Sequence, residues 1–559
     1  MTARRFAVCA VLAALGVAGM SGTAFAHAEL ERSNPTDQAV LPVSPKTVDL
    51  HFGSAVETAL SSIRVVDADG HRVDASDPFH PGGRTHDVDV TLRPSLPAGT
   101  YLVSWRVVSD DSHPVSGDFV FSVGRPGAVP KAGGEGGSTA VGLLSGEARF
   151  GGFVGLALLL GTVVFLVACW PQGWTDRRAR WLLGVGWWTA AVSTVTGLLV
   201  QGPYGAGLGL SSIADGATLE ETLRTRFGHA YVLRVWLLLG FAAVVVGYLR
   251  RRTPAKRPRA SAPVPSAPPL LVAAGVATGL GLLATVAMSG HADDGPHRVL
   301  ALPVDVLHLA AMVAWMGGLV ALVVCLLAWR RDTTPLETAL PRFSRLAATS
   351  VGVLVATGTF AAWRDLGAWG ALTGTPQGRL LLVKLSVLAV LLLAAAGSRR
   401  WLRSRRGDAA RAPWNDVRAL RVSIGAETAM AVSLLAVTAV LVATPPGRTE
   451  WRPPSSFELA TGPVQLRVSV VPTGPNQLNV SATALTVGGA PTDVPKLVAT
   501  ADLPGQHITG VPVAFVNVGT GRYQAKGVTL PASGRWTLDI QVHPDAVHVF
   551  GARAQITVR

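Results

Sequence analysis

Charge is scarce in this 559-residue chain. Only 15% of its residues are Asp, Glu, Lys or Arg, where soluble domains carry about 25%. With 49% hydrophobic residues and a mean hydropathy of +0.38, that scarcity excludes one large soluble enzyme. Cysteine is scarcer still: Cys9, Cys169 and Cys325 are the only three. Cys9 lies in a segment expected to be removed, and the other two lie in apolar runs. The exported parts therefore have no disulfide framework, and no CxxC zinc or redox motif occurs. No Walker or phosphorylation motif is present, so ATP is not expected to drive any step. The net charge of +14 and pI near 10.6 first point to nucleic acid, but the distribution excludes that partner. Residues 27–124 hold seven Lys/Arg against fourteen Asp/Glu, a net of −7. The Arg excess sits in short loops between apolar runs, which is a membrane-topology signal.

What is present begins with an export signal over 1–26. Arg4 and Arg5 precede the apolar stretch Phe6 to Met20, and Ala24-Phe25-Ala26 supplies the small residues of a cleavage site. Cleavage after Ala26 makes His27 the mature N-terminus. Residues 27–124 read as a small β-barrel or sandwich. Val48 to Phe52 and Val88 to Leu92 alternate with period two, and Tyr101 to Val108 and Phe119 to Val123 look like further strands. Asp69-Gly70, Pro81-Gly82-Gly83 and Pro97-Ala98-Gly99 supply turns. A Gly/Pro/Ser-rich linker over 125–148 follows.

Eight membrane spans are expected within 149–445, near 150–170, 181–201, 230–249, 269–289, 301–329, 346–363, 379–397 and 421–443, each long enough for a bilayer. The loops after the odd-numbered spans carry 21 Lys/Arg and the alternate loops carry five. This asymmetry makes the first set cytoplasmic. The β domain at 27–124 and the tail at 446–559 then both lie outside the cytoplasm, as the signal segment independently demands. The tail is read as a second, immunoglobulin-like β domain, with alternation over 464–470, Val511 to Val518 and 536–542. The fold class is thus a polytopic α-helical membrane protein flanked by two extracytoplasmic β domains, located in the plasma membrane.

The chemistry of the first domain points to copper. A mature N-terminal His27 offers its α-amine and its imidazole in one chelate. In Ser109-Asp110-Asp111-Ser112-His113-Pro114, Asp111 and His113 are two apart, so on an extended segment they share a face. Three nitrogens and one carboxylate oxygen make a tetragonal set that suits Cu(II). Residues 27–124 contain neither Met nor Cys, so no soft Cu(I) ligand is offered there. His51, His71, His80 and His86 receive no role, and His507, His543 and His548 in the tail share no ligand spacing.

His27-Ala28-Glu29-Leu30, Asn34-Pro35 and the Asp-Ser-His-Pro-Val-Ser-Gly run from Asp111 resemble the periplasmic copper-binding CopC family. The resemblance implies a small β-barrel or sandwich holding Cu(II) through His27, Asp111 and His113. Ser289-Gly290-His291-Ala292, His308-Leu309 through Trp315-Met316-Gly317-Gly318-Leu319, and Gly378 to Lys384 are similar to the CopD family of copper-resistance membrane proteins. CopD-like proteins are often fused to a CopC domain in this order.

Ionisable groups inside spans mark functional sites by default. His308, Met312 and Met316 recur at steps of four and form one helical stripe. Met288 and His291 are three apart near the outer end of the fourth span. Imidazole and thioether together suit Cu(I). Met is equally ordinary filler in packed interiors. Glu427, in the inner third of the eighth span, is a further path residue or a partner for an inner-loop Arg. Lys384 lies at a different depth and is not expected to pair with it.

The expected function is non-enzymatic: Cu(II) capture outside, then copper passage across the bilayer, with uptake implied by the resemblance. A copper store or a supplier of extracytoplasmic enzymes remains open. A b-type haem protein would need paired axial histidines, and only His308 lies well inside a span. The expected partners are copper ions, the lipid bilayer and an unidentified reductase or copper chaperone, with no nucleic acid.

Overall fold

The computed structural model describes residues 30–109, 114–128, 130, 138–252, 268–289, 298–327, 334–404 and, with short gaps, 430–558. The signal segment expected at 1–26 lies outside the described residues.

The N-terminal domain is a two-sheet sandwich. Strands β1 (Leu30–Asn34), β3 (Thr47–Phe52) and β5 (Asp87–Thr91) form one sheet. Strands β2 (Ala39–Leu41), β7 (Pro114–Val123), β6 (Gly99–Ser109) and β4 (Val56–Val66) form the other, in that order. Alternation does the work: Val48, Leu50 and Phe52 point inward and are buried while their neighbours are not. Phe52 meets Trp105 of β6 edge to face at 5.3 Å, bridging the sheets. The four strands legible in the sequence are all present, but the short β1 and β2 and the long β4 have no counterpart among those expectations. The pairing of β4 with β6 slips between Glu57 and Ser62, and Leu60 sits there at φ 65°. This bulge breaks the period-two pattern by which a strand is recognised.

The helical unit contains, among the described residues, seven helices long and apolar enough to cross a membrane. They are α1 (Thr139–Ala168), α2 (Arg177–Ala206), α4 (Arg226–Arg252), α5 (Pro269–Ala287), α6 (Arg298–Leu322), α7 (Thr334–Leu366) and α8 (Pro376–Ser404), with the short α3 (Gly216–Arg224) between α2 and α4. Helix α1 takes in the last ten residues of the stretch 125–148 read as linker. The eighth span expected at 421–443 falls largely outside the described residues, although 436–442 are helical.

Helix α1 is central. Its buried Leu156, Ala157, Leu159 and Leu160 join Met316, Leu319 and Leu322 of α6 and Leu182 and Leu183 of α2 in one core. Gly161 and Gly317 let α1 and α6 approach backbone to backbone, since a Cβ on Gly317 would lie 1.8 Å from the Ala157 carbonyl oxygen. The Gly317-Gly318 pair therefore serves close helix packing.

The C-terminal domain is a second sandwich. One sheet runs β13 (Val516–Gly519), β14 (Arg522–Thr529), β10 (Gln477–Thr486), β9 (Val464–Gly474) and β8 (Ser455–Thr461). The other runs β12 (Ile508–Val513), β11 (Lys496–Leu503), β15 (Gly534–His543) and β16 (Phe550–Val558). The single strand expected over Val511 to Val518 is two. Phe515 turns toward the core between them, so the chain leaves one sheet and enters the other. The start of this tail packs on the loop between α7 and α8. There the Gly447 N–H donates to Gln377 Oε1 at 2.5 Å, and Trp451 lies against Gly370.

Candidate metal centre

Of the residues singled out for metal binding, His27, Asp111, His113, His291 and Glu427 lie outside the described residues. The strands that flank the first three in the sequence are described, and they converge. Leu30 at the start of β1 pairs with Phe52 at the end of β3, and Val56 at the start of β4 pairs with Ser109 at the end of β6. The start of β1 and the mouth of the β6–β7 hairpin, where Val108 faces Pro114, therefore lie at one end of the sandwich.

That end also gathers histidines and carboxylates to which the sequence assigns no role. His51 Nδ1 meets Asp87 Oδ1 at 2.5 Å, and His51 Nε2 is 3.9 Å from Glu31. His86 Nδ1 donates to the Phe52 carbonyl at 3.2 Å, and its ring stacks 6.4 Å from that of His51. His80 Nδ1 donates to the Asp87 carbonyl at 2.7 Å. Hydrogen bonds from His51 and Arg84 hold the Asp87 carboxyl below its ordinary range. Asp89, two residues on in the same strand, is pushed the other way, to about 6, by burial and by the charges of Asp49 across the sheet and of Asp87 on its own strand. His51 and its neighbours Glu31, His86 and Asp87 are 20 to 36 residues apart in the chain, and only pairing across strands reveals them.

A second group, Asp67, Asp69 and His71, brings three ligand atoms within 4.8 Å of one another. Asp67 Oδ1 accepts the backbone N–H groups of Asp69 and His71 at 3.0 and 2.9 Å. The turn after β4 accounts for that arrangement.

In the helical unit, His308 is held by a specific partner. Its Nδ1 lies 2.8 Å from Thr357 Oγ1 of α7. The Thr357 hydroxyl donates its only proton to the Val353 carbonyl at 2.6 Å, so it must accept from His308 Nδ1–H. Nε2 is then the ring nitrogen that keeps its lone pair. A ligating imidazole is commonly oriented in this way. Met312 and Met316 continue the stripe; Met316 is buried and Met312 packs against the same core. Met288 caps α5 and is half exposed.

Three charged residues complete this picture. Asp305 precedes His308 by three residues on α6 and shares its face. Lys384 of α8 lies within electrostatic range of His308, a pairing not anticipated for it. Arg234 of α4 is buried: its Nε donates to Thr285 Oγ1 at 3.0 Å and its Nη2 to the Thr285 carbonyl at 2.7 Å. Arg234 also lies 4.2 Å over the Tyr231 ring. It pins the end of α5 beside Met288. Asp305 and Arg234 were visible as charges inside apolar runs.

The family comparisons agree with this architecture. Residues 30–124 match the CopC domain, 144–299 the copper resistance protein D-like N-terminal domain, and 337–441 copper resistance protein D. The chain is 29% identical over 381 residues to the copper transport protein CutJ of Bacillus subtilis (strain 168), covering 67% of this chain and 68% of that one. It is 32% identical to copper resistance protein C of Escherichia coli, over 19% of this chain and 89% of that protein. It is 28% identical to copper resistance protein D of Pseudomonas syringae pv. tomato, over 53% of this chain and 95% of that protein. A CopC sandwich, apolar helices with CopD character (seven among the described residues) and a β-rich tail in one polypeptide make this chain a member of the CopC and CopD copper-resistance families, fused as a multi-pass membrane protein.

Proposed function

We propose that the chain captures Cu(II) outside the cytoplasm through His27, Asp111 and His113 and passes copper inward through its helices. The observation that carries this reading is the oriented His308. Thr357 fixes its Nδ1–H, so Nε2 offers a lone pair inside a span, on the stripe that continues through Met312 and Met316. From their positions in the sequence, Met288 and His291 are assigned to the mouth of this path and Glu427 to its inner end. Ligands soften from carboxylate and imidazole outside to imidazole and thioether within, which favours Cu(I) in the membrane. The electron for that change comes from a separate reductant, or a chaperone delivers copper already reduced. The role is transport, not catalysis.

The orientation has two supports. One is the 21-to-5 loop charge asymmetry. The other is the tail. Helix α8 begins at Pro376 and runs 29 residues, about 43 Å, away from the loop on which Gly447 and Trp451 pack. The chain between 404 and 447 must recross that length, which is what an eighth span would do, returning the tail to the side of the N-terminal domain.

The test is radiocopper accumulation in cells with and without the protein, and with His308→Ala. Expression should raise cytoplasmic copper, and His308→Ala should abolish the rise while Cu(II) binding by the N-terminal domain persists. Copper held outside with no rise inside would mean storage; a fall inside would mean export.

A further inference from the structure

The N-terminal domain is seated on the helices as well as linked to them. Period-two alternation on β6 turns Trp105 and Val107 into the sandwich core and leaves Arg106 on the opposite face. There Arg106 Nε donates to the Gly205 carbonyl at 2.7 Å and Nη2 to the Tyr204 carbonyl at 2.9 Å. Both carbonyls belong to the last turn of α2, which ends at Gly207 with φ 72°. Carbonyls of a last helical turn lack intrahelical donors and carry the negative end of the helix dipole. A guanidinium fork satisfies both demands at once.

Packing supports the same joint. Gly205 is where the two bodies touch: a Cβ there would lie 3.0 Å from the Val108 side chain and 3.5 Å from that of Leu60. Leu60 reaches this position because β4 bulges, with Leu60 itself in the left-handed region at φ 65°. That conformation is costly for a branched side chain and persists only where its surroundings hold it. Here Glu221 of α3 accepts the Leu60 N–H at 3.3 Å. Beside these contacts lies a cleft of about 520 Å³ lined by Ser61, Arg64, Thr218 and Glu221. The joint is therefore narrow, and the paired Arg106 bonds are its strongest part.

Its position is the informative feature. Val108 touches Gly205 and also pairs with Pro114. The two arms of the β6–β7 hairpin thus rest at the end of α2, and two of the three proposed copper ligands, Asp111 and His113, fall between these arms in the sequence. We propose that Arg106 is a positioning residue that keeps this hairpin seated on the membrane unit, so that copper passes to the spans without release to solvent. The handover rests on the transport reading above; the seating does not.

The test uses the full chain in vesicles with the N-terminal domain outward, comparing wild type, Arg106→Ala, Arg106→Lys and Gly205→Val. Hydrogen exchange reads the joint: residues 57–62 and 203–208 should exchange faster in Arg106→Ala and Gly205→Val than in wild type. Handover is read by loading one radiocopper per protein, then adding ascorbate as the one-electron reductant together with excess membrane-impermeant copper chelator weaker than the N-terminal site. Wild type should still deliver its copper to the lumen. The Ala and Val variants should deliver at least about tenfold less, because an unseated domain must release and recapture. Arg106→Lys should recover part of the loss, and Cu(II) titration should be equal in all four. Equal delivery under chelator, or equal exchange in wild type and Arg106→Ala, would overturn the proposal. Wild-type vesicles that take up no copper even without chelator would overturn the transport reading and with it the handover, while exchange still decides the seating.

Discussion

The sandwich at 30–124 and the sandwich at 455–558 are built from the same alternating strands, yet their charges differ in sign. Residues 27–124 carry a net −7, while 446–559 carry nine Lys/Arg against six Asp/Glu, a net +3. Residues 27–124 hold six histidines, three of them at one end with Asp87 and Glu31. The C-terminal domain holds three, of which His548 turns back on its own Asp545 at 2.9 Å. Their attachments differ as well. The first domain is seated by a charge-assisted fork on α2, and the second enters through Gly447 and Trp451 on the α7–α8 loop. A shared architecture therefore says little about role; the ligand-bearing end and the local field separate the two.

The sharpest way to break this contrast is at the chelate. One residue added ahead of His27, or His113→Ala, should weaken Cu(II) binding by several orders of magnitude in a competition titration, because each removes nitrogen ligands. His543→Ala with His548→Ala should leave it unchanged. Loss of affinity from the tail variant would mean that the second domain also binds copper.

Next in size are the cores. Phe52 and Trp536 are both fully buried, one in each sandwich. Replacing either with Ala should cost its own domain about 3–5 kcal/mol. Phe52→Ala should also diminish Cu(II) binding, whereas Trp536→Ala should spare it. Chemical denaturation followed beside copper titration separates the two outcomes.

A smaller effect is expected inside the spans, between α6 and α7. Thr357→Val removes the acceptor that orients His308 while keeping the side-chain shape, and should lower copper accumulation about tenfold. Thr357→Ser should restore it. A Val variant as active as wild type would show that the His308 tautomer does not matter.

The smallest effect is in pH. Asp89 has a folded pKa of about 6, above its ordinary value. Its contribution to stability is fully present below about pH 4 and is lost as pH rises through 6. Asp545 in the other domain is held at about 2 by backbone N–H donors from His548 and Val547. Its contribution is present above about pH 4 and is lost as pH falls through 2. Asp89→Asn should flatten the N-terminal profile between pH 4 and 6, and Asp545→Asn should leave that profile unchanged. Thermal unfolding across pH, followed in each domain, checks both.

How much was legible depends on how local each signal is. Strands β3, β5, β6 and β7 announce themselves by alternation, and the seven described helices by apolar length. Strand β4 was hidden because its bulge at Leu60 destroys the period. The split of 511–518 was hidden because both halves alternate alike while lying in different sheets. His308 was visible as a charge-capable group in an apolar run. Its partner Thr357 is 49 residues away, and Thr357 is one of many threonines in spans.

The sequence by itself determined the order of the domains, the apolar spans and the residue types able to hold copper. These follow from composition, periodicity and short spacing, all of which act within a few residues of chain. Tertiary structure alone decided which nitrogen of His308 keeps its lone pair, that the Asp87 and Asp89 carboxyl pKa values are shifted in opposite directions, and that Arg106 meets the end of α2 some 98 residues on. Each of these depends on a donor, charge or carbonyl brought close by packing. The energy of such contacts falls off within a few ångströms, so no pattern along the chain records them.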